Sequence, residues 1–242
     1  MRIWDVAAGY LTRQSLLGEH RELHGLYRIQ CQRLSGYSRH PETLRWAGCL
    51  SGLRARHRQL VAEMALRGYV DRTPLPRRGA DVRWPDVFID TPARQFEILR
   101  GKYAQGSGGR IPLPRQAQEL WAQHKYSVLA RDPERYREIG RRVARLRRSA
   151  AFDDLALELT VMLRQAPEPA RAVNAIEHMW GYVADSASAS ERRRALRSGR
   201  AMLAVTQAIA LREGNPYLLS STALSELMTA LPAAPSRGRA GS

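Results

Sequence analysis

The chain has 242 residues, of which 44% are hydrophobic, and it carries 39 Lys and Arg against 23 Asp and Glu, a formal charge of +16. A chain of this length and hydrophobicity can bury a sizeable core, which excludes a disordered basic tail. No uncharged apolar stretch is long enough to cross a bilayer, which excludes a transmembrane helix, and the charge favours a polyanionic partner, most simply a nucleic acid.

Helical periodicity dominates the first 75 residues. Leucines spaced along residues 16–26 predict a first helix over 10–32. Pro41 suits a first helical position and Gly68 suits a C-terminal cap, so we predict a second helix over 41–67.

The same pattern continues to the end of the chain, and strand-like alternation is nearly absent. Asp132 followed by a proline is a strong start signal for a helix. The sequence therefore predicts an all-α fold. Further helices are expected over 93–103, 115–129, 133–148, 151–165, 170–184, 188–212 and 221–230.

Segments rich in Gly, Pro and Ser separate these helices. We expect a turn at 35–38 and a flexible loop at 105–109. The predicted organisation is a small helical domain over 1–75, a linker over 76–92, a second helical domain over 93–231 and a disordered tail over 232–242.

Cysteine usage and the first residues predict a cytoplasmic protein. The two cysteines, Cys31 and Cys49, do not make a disulfide framework or a four-ligand zinc site. The first five residues lack the apolar core of a secretory signal. We therefore expect a cytoplasmic location and no membrane partner.

Two histidines of the first helix suggest a zinc motif that the spacing then excludes. His20 and His24 are four residues apart and share a helix face, but Glu22 lies about 200° round the helix from each. A zinc protease needs the order His-Glu-x-x-His. We expect a histidine pair that lines a groove or is solvated, and we predict no metal and no cofactor.

Two other pairs on this helix leave alternatives open. Glu19 and Glu22 are either a solvated edge or a pair in which one carboxyl has a raised pKa for acid/base work. Gly18 and Gly25 form a smooth stripe, which indicates either close helix packing or close approach of a ligand backbone.

The scarcity of lysine bears on amine chemistry. A Schiff base needs an unprotonated amine, and the chain offers only Lys102, Lys125 and its N-terminal α-amine. An α-amine has a pKa of about 7.7–8.0, against about 10.4 for lysine. In any imine chemistry the N-terminus is therefore the favoured nucleophile.

Three segments carry a family resemblance: residues 1–3, 16–23 and 60–69. With the spacing from the N-terminus to the Arg21-Glu22 pair, they resemble the pyrimidine-dimer DNA glycosylase (phage endonuclease V) family. The resemblance implies an all-helical fold and, as partner, double-stranded DNA with damaged bases. It also implies a reaction in which the N-terminal α-amine attacks the sugar C1′ and β-elimination of the abasic strand follows.

The family pattern assigns residues to that reaction. This chain has Ser15 where the family has a histidine and Gly25 where it has an arginine, departures that bear on lesion specificity. The resemblance implies catalytic roles for the Met1 amine and Glu22, and DNA contacts for Arg2 and Arg21.

Physical reasoning supports this set and adds two arginines. A carboxylate beside an attacking amine relays protons and stabilises the cationic imine, and arginines neutralise the flanking phosphates. Arg54 and Arg58 share a face of the predicted second helix. They are either further phosphate contacts, as we predict, or a solvated face.

Residues 93–228 resemble a second family, a bacterial domain of unknown function often joined to a thiouracil-desulfidase-like domain. The segments 120–126, 136–140 and 174–182 carry this resemblance, which implies no activity. Four polar residues lie in these apolar helices, either as satisfied core groups or as a basic, aromatic-lined pocket for a nucleic acid or nucleobase: His124, Lys125, Asn174 and His178.

The sequence thus predicts a DNA repair glycosylase with abasic-site lyase activity on damaged pyrimidines. Two alternatives stay open at this stage. One is a non-catalytic nucleic-acid-binding protein on the same scaffold, and the other is an enzyme that acts on modified nucleobases.

Overall fold

The computed structural model of the chain describes residues 1–32, 37–76, 81–104, 106–146 and 151–232. Within these ranges the chain forms twelve α-helices and no strand, which confirms the predicted all-α fold. None of the described helices combines the length and apolar character needed to span a bilayer.

Two short 3₁₀ turns accompany the α-helices of the described residues. A 3₁₀ turn, Ala8–Tyr10, precedes the first α-helix, and a second one, Leu227–Thr229, follows the last. The first six helices are α1 (Arg13–Gln32), α2 (Pro41–Arg45), α3 (Leu50–Leu66), α4 (Pro92–Lys102), α5 (Ala117–Leu129) and α6 (Pro133–Arg145). The remaining six are α7 (Phe152–Leu163), α8 (Pro169–Trp180), α9 (Ala189–Ala195), α10 (Gly199–Glu213), α11 (Pro216–Leu219) and α12 (Ala223–Glu226).

Capping residues explain why several helices begin and end where the sequence predicts. Pro41 is the first residue of α2. The Asp132 carboxylate accepts hydrogen bonds from two backbone amides at the start of α6. Gly68 follows α3 with a φ of +80°, a conformation that favours glycine at a helix C-terminus. These three predicted signals are confirmed.

The predicted helix over 41–67 is wrong as a single element, because it is broken between α2 and α3. Gly48 has a φ of +72°, in the left-handed region, and ends the helical path. Trp46 is buried beside the break, and its indole N–H donates to the Glu42 carboxylate at 3.1 Å. The apolar periodicity continues through this break and therefore conceals it.

The predicted helix over 188–212 is also two helices, α9 and α10. The Ser198 hydroxyl accepts a hydrogen bond from the Ala201 amide at 3.1 Å and so caps a new helix start. Leu196, just before it, is 78% exposed, so this apolar residue does not continue a buried stripe.

Several predicted boundaries fall outside the described residues. They affect part of the turn at 35–38, part of the linker at 76–92 and part of the loop at 105–109. The last residues of the predicted helix over 133–148, and all but the first residue of the predicted tail over 232–242, also lie outside them.

The buried side chains form two hydrophobic clusters that share α5. The first joins the N-terminal segment to α1, α3, α4, α5, α6 and α7, and the second joins α5 to α8, α10 and α12. Phe96 and Leu99, which follow the predicted linker, pack in the same cluster as Leu16. The described packing thus continues across residues 81–92, and the predicted domain boundaries stay a prediction.

Buried ion pairs and hydrogen bonds hold the N-terminal segment in place. The Asp5 carboxylate pairs with Arg45 at 2.8 Å and with Arg164 at 2.9 Å. The Asp5 amide donates to the Gln95 side chain at 2.8 Å. Ile3 is buried, so the first residues of the chain have a defined path that ends beside α1.

Candidate active site

An open groove of about 1180 Å³ lies beside the N-terminus. The N-terminal segment, one face of α1 and the end of α4 line it, and Met1, Arg21, Glu22 and Lys102 are among the lining residues. Small-molecule pockets typically measure about 300–1,000 Å³, so this groove suits part of a larger ligand.

The structure brings the predicted nucleophile and the predicted catalytic carboxylate together. The backbone N–H of Arg2 donates to Oε2 of Glu22 at 2.6 Å. Met1 is the next residue along the chain, and both Met1 and Glu22 are half-buried in the wall of the groove. A carboxylate therefore lies within one residue of the α-amine.

Arg2 is already paired within the protein. Its guanidinium forms an ion pair with the Asp90 carboxylate at 2.5 Å and lies 4.8 Å from the centre of the Trp4 ring. The Arg2 side chain is 34% exposed. A phosphate at this position would share the guanidinium with Asp90, and the predicted DNA contact of Arg2 stays a prediction.

The other predicted DNA-binding arginines are divided between two places. Arg21 is exposed and lines the groove. Arg54 and Arg58 are half-buried on α3, and the described residues that line the groove do not include them. The structure thus brings Arg21 to the predicted nucleophile, while Arg54 and Arg58 lie elsewhere.

The groove also holds two cations that the sequence analysis did not place there. Arg13 is exposed at the start of α1, and Lys102 is exposed at the end of α4, with its Nζ 5.6 Å from the centre of the Trp4 ring. Lys102 was one of three candidate amines, and no sequence signal placed it beside the N-terminus. Two of the three amines therefore share one groove.

Glu19 forms an ion pair with an arginine of α3. It is buried, and both of its carboxylate oxygens accept hydrogen bonds from Arg56, at 2.7 and 3.0 Å. Burial raises the pKa of Glu19, while the Arg56 guanidinium opposes that rise. The solvated edge is wrong for Glu19, because Arg56 holds it in the core. The alternative of a carboxyl with a raised pKa stays a prediction, and Glu19 is among the residues that line the groove.

The helical glycines are not explained by packing. A Cβ built on Gly18 or Gly25 would meet no atom of the described residues within 4 Å. The explanation by close helix packing is therefore wrong, and Gly18 lines the groove. Close approach of a ligand backbone stays a prediction.

The two histidines of α1 belong to a cluster that the sequence did not reveal. His57 from α3 and Asp71 from the following segment join His20 and His24. Burial lowers the pKa of His57 to about 4. The expectation of a groove-lining or solvated pair is wrong, because neither histidine of α1 lines the groove and both are half-buried against α3.

The four polar residues predicted as a second site do not converge. His124 is buried, its Nδ1 lies 2.9 Å from the Leu120 carbonyl oxygen, and burial lowers its pKa to about 4. Asn174 is exposed on α8. His124 is thus a satisfied core group.

Lys125 and His178 do meet, at a group of tyrosines. The Lys125 Nζ lies 5.0 Å from the ring centres of Tyr126 and Tyr217. The exposed His178 stacks on Tyr126 with ring centres 6.4 Å apart. The four predicted residues therefore do not form one aromatic-lined pocket. Only two of them, Lys125 and His178, contact the same tyrosine, Tyr126.

Comparison with known families distinguishes the two parts of the chain. Residues 1–76 match the pyrimidine dimer DNA glycosylase family. Residues 125–227 match a family of proteins of unknown function, DUF1722. Both resemblances recognised in the sequence are confirmed. Searches of curated proteins and of solved structures returned no match.

The family match over residues 1–76 covers only part of the groove wall. It includes the N-terminal segment, α1 and α3, and so contains Met1, Arg21 and Glu22. Lys102 lies between the two matched ranges. The groove is therefore built from a glycosylase-like segment and from a wall that neither family describes.

Proposed function

We propose that the protein is a DNA repair glycosylase with abasic-site lyase activity on damaged pyrimidines in duplex DNA. The observation that carries this proposal is the 2.6 Å hydrogen bond from the Arg2 amide to Glu22, which holds a carboxylate one residue from the N-terminal α-amine. The match of residues 1–76 to the pyrimidine dimer DNA glycosylase family supports it.

The proposed reaction begins at the Met1 α-amine. The neutral amine attacks C1′ of the damaged nucleotide, the bond from C1′ to the base breaks with its electron pair going to the base, and the base takes a proton from water. The amine passes a proton to Glu22, which delivers it to O4′ as the sugar ring opens, and a cationic imine forms at C1′. The Glu22 carboxylate stabilises this cation because it lies beside it in a partly desolvated wall.

Strand cleavage follows from the same imine. Loss of a proton from C2′ expels the 3′ phosphate by β-elimination, and water then hydrolyses the imine and restores the amine. Glu22 is the group in reach of the protons that these steps move.

The groove surface suits the DNA backbone next to the reacting sugar. Arg13, Arg21 and Lys102 are exposed there and supply positive charge for phosphates. Gly18 leaves open space on the face of α1 between them. These features support a polyanionic ligand that runs along α1.

Reductive trapping on abasic-site DNA tests the proposal. Borohydride reduces an imine to a stable amine, so wild type should form a covalent adduct whose peptide map places the DNA on Met1. A chain with a blocked α-amine should lose the adduct and keep DNA binding. Intact mass should first show a free Met1 amine, because a retained formyl group removes the nucleophile.

Lysine variants make the test sharp, because Lys102 lines the same groove as Met1. Lys102→Arg should keep the adduct, and Lys125→Arg, which is not among the described residues that line the groove, is the matched control. An adduct that maps to Lys102, or that disappears only in Lys102→Arg, would overturn the assignment to Met1. DNA binding without any adduct would favour the non-catalytic alternative.

A further inference from the structure

Four metal-binding side chains converge beside α1, outside the groove. His20 and His24 lie one turn apart on α1, His57 comes from α3 and Asp71 from the segment after α3. One ligand atom of each lies within 4.8 Å of those of the other three. We propose that these four side chains form a binding site for one Zn²⁺ ion.

The spacing of the ligand atoms suits a tetrahedral ion. Zinc lies about 2.0–2.2 Å from nitrogen and oxygen ligands, so tetrahedral ligand atoms are about 3.3–3.6 Å apart. In the structure Nε2 of His24 lies 3.2 Å from Nε2 of His57. Nε2 of His20 lies 3.4 Å from Asp71 Oδ1, and Nε2 of His57 lies 3.7 Å from Asp71 Oδ2.

Hydrogen bonding among the described residues leaves part of this cluster unsatisfied. Nε2 of His20 is buried and has no hydrogen-bond partner among them. Nε2 of His24 lies 3.2 Å from the Thr73 hydroxyl. The nitrogens of His24 and His57 face one another, and two neutral imidazoles at that contact can share only one proton. A cation at the centre of the cluster accepts the lone pairs of all three rings and removes the cost of leaving them unpaired.

The carboxylate ligand is oriented by its own neighbours. The Thr73 backbone N–H donates to Asp71 Oδ1 at 2.9 Å, and the Thr73 hydroxyl lies 3.4 Å from the same oxygen. Hydrogen bonds of this kind fix the geometry of metal ligands in other proteins. Three imidazoles and one carboxylate in a tetrahedron favour zinc over calcium or magnesium, which prefer more oxygen ligands.

Four protein ligands leave no open position on a tetrahedral ion, which is the arrangement of structural rather than catalytic zinc sites. The ion would connect α1, α3 and the segment at 71–73. Glu22 lies on α1 between two of the ligands, although on another face. The proposed ion therefore holds the turn of helix that presents Glu22 to the groove.

Cobalt substitution tests this site without DNA and without any activity measurement. The full chain is stripped with a chelator and titrated with Co²⁺, and bound metal is counted by mass spectrometry. We expect one ion per chain with the intense visible bands of tetrahedral Co²⁺, displaced by Zn²⁺. Zn²⁺ at 100 times its Kd should raise Tm by roughly 5–10 °C.

Two ligand variants and one control locate the ion. His24→Gln and Asp71→Asn should each weaken binding at least about 10-fold, with circular dichroism to confirm the helical fold. His178→Gln removes an exposed histidine outside the cluster and should keep full binding. Three results would each overturn the proposal: no bound ion, an octahedral cobalt spectrum, or metal binding by both ligand variants as tight as that of wild type. If one variant does not fold, the other variant and the wild-type spectrum still decide.

Discussion

The helices α1 and α5 both carry polar residues among apolar ones, but the surroundings of these polar side chains differ. On α5, Gln123, His124 and Ser127 are buried and hydrogen-bond inside the protein. Gln123 accepts from the Tyr10 hydroxyl at 2.7 Å, and the Ser127 hydroxyl donates to Glu226 at 2.8 Å. On α1, Glu22 faces an open groove, and a buried His20 nitrogen has no hydrogen-bond partner in the described part of the chain.

The difference shows which polar residues have capacity left for a ligand. A buried polar group with all its hydrogen bonds made, such as Ser127, contributes to stability and has nothing more to donate or accept. Glu22 binds one backbone amide and keeps the rest of its carboxylate facing the groove. We therefore propose a catalytic role for Glu22 of α1 and a structural role for the buried polar residues of α5. Four predictions test this contrast.

The largest expected effect is on α1. Glu22→Gln keeps an oxygen for the Arg2 amide but removes the charge, so base excision should fall by roughly 10²–10⁴ while Tm changes little. Single-turnover excision on damaged duplex DNA measures this. Glu97→Gln, an exposed glutamate on α4, is the matched control and should keep wild-type rates. A loss of less than a few-fold in Glu22→Gln would show that this carboxylate has no catalytic role.

The second prediction concerns the carboxylate that α5 contacts. Glu226→Gln leaves the buried Arg131 guanidinium without its charged partner and should cost about 3–5 kcal/mol of unfolding free energy. Urea denaturation measures it, with Glu97→Gln expected to change stability by less than about 0.5 kcal/mol. Reductive trapping per folded molecule should stay unchanged. Lost trapping in folded protein would contradict the contrast between the two helices.

The third prediction uses pH. The pKa of His124 is about 4 in the folded chain, against about 6.5 when unfolded, so the unfolded state binds more protons between these values. Stability from this residue is therefore present above about pH 6.5 and is lost as pH falls towards 4. Between pH 7 and pH 5 we expect His124 to lower the free energy of unfolding by about 2 kcal/mol.

Urea denaturation at both pH values compares wild type with two variants. His124→Gln should be less stable at pH 7 but should show a smaller loss on acidification. His178→Gln, which removes an exposed histidine, should keep the wild-type pH dependence. Equal losses in wild type and His124→Gln would show that His124 is not held neutral in the core.

The smallest expected effect is on affinity. Arg21→Ala should lower the slope of log K against log salt by roughly 0.9 and weaken damaged and undamaged duplexes alike. Arg137→Ala, an exposed arginine on α6 outside the groove, is the control for nonspecific charge. Binding isotherms at several salt concentrations measure both. Equal slopes for the two variants would indicate a general effect of net charge instead of a contact at the groove.

Much of the fold was predictable because its signals are local. Caps such as Asp132 and Gly68 act through backbone groups within a few residues, so the sequence contains the whole cause. The missed breaks at Gly48 and Ser198 are also local, but the apolar periodicity on either side of them predicts a continuous helix. A glycine inside such a pattern is compatible with either outcome.

The site was only partly predictable. The resemblance of the first 75 residues led to Met1 and Glu22, and the structure places them together. The metal-binding cluster depends on His57, 33 residues from its neighbour His24, and no local pattern connects them. Lys102 reaches the groove only because α4 packs into the same core as α1.

The sequence by itself determined an all-α chain, the positions of most helices, the family match of residues 1–76 and the scarcity of amines. Only the tertiary structure decided what each polar residue of α1 faces. Glu19 forms an ion pair with a buried arginine, Glu22 lines the groove, and His20 lies in a cluster with two histidines and an aspartate. The physical reason is that helix geometry sets the angles between side chains on one helix, whereas the packing of distant segments decides what lies opposite each of them.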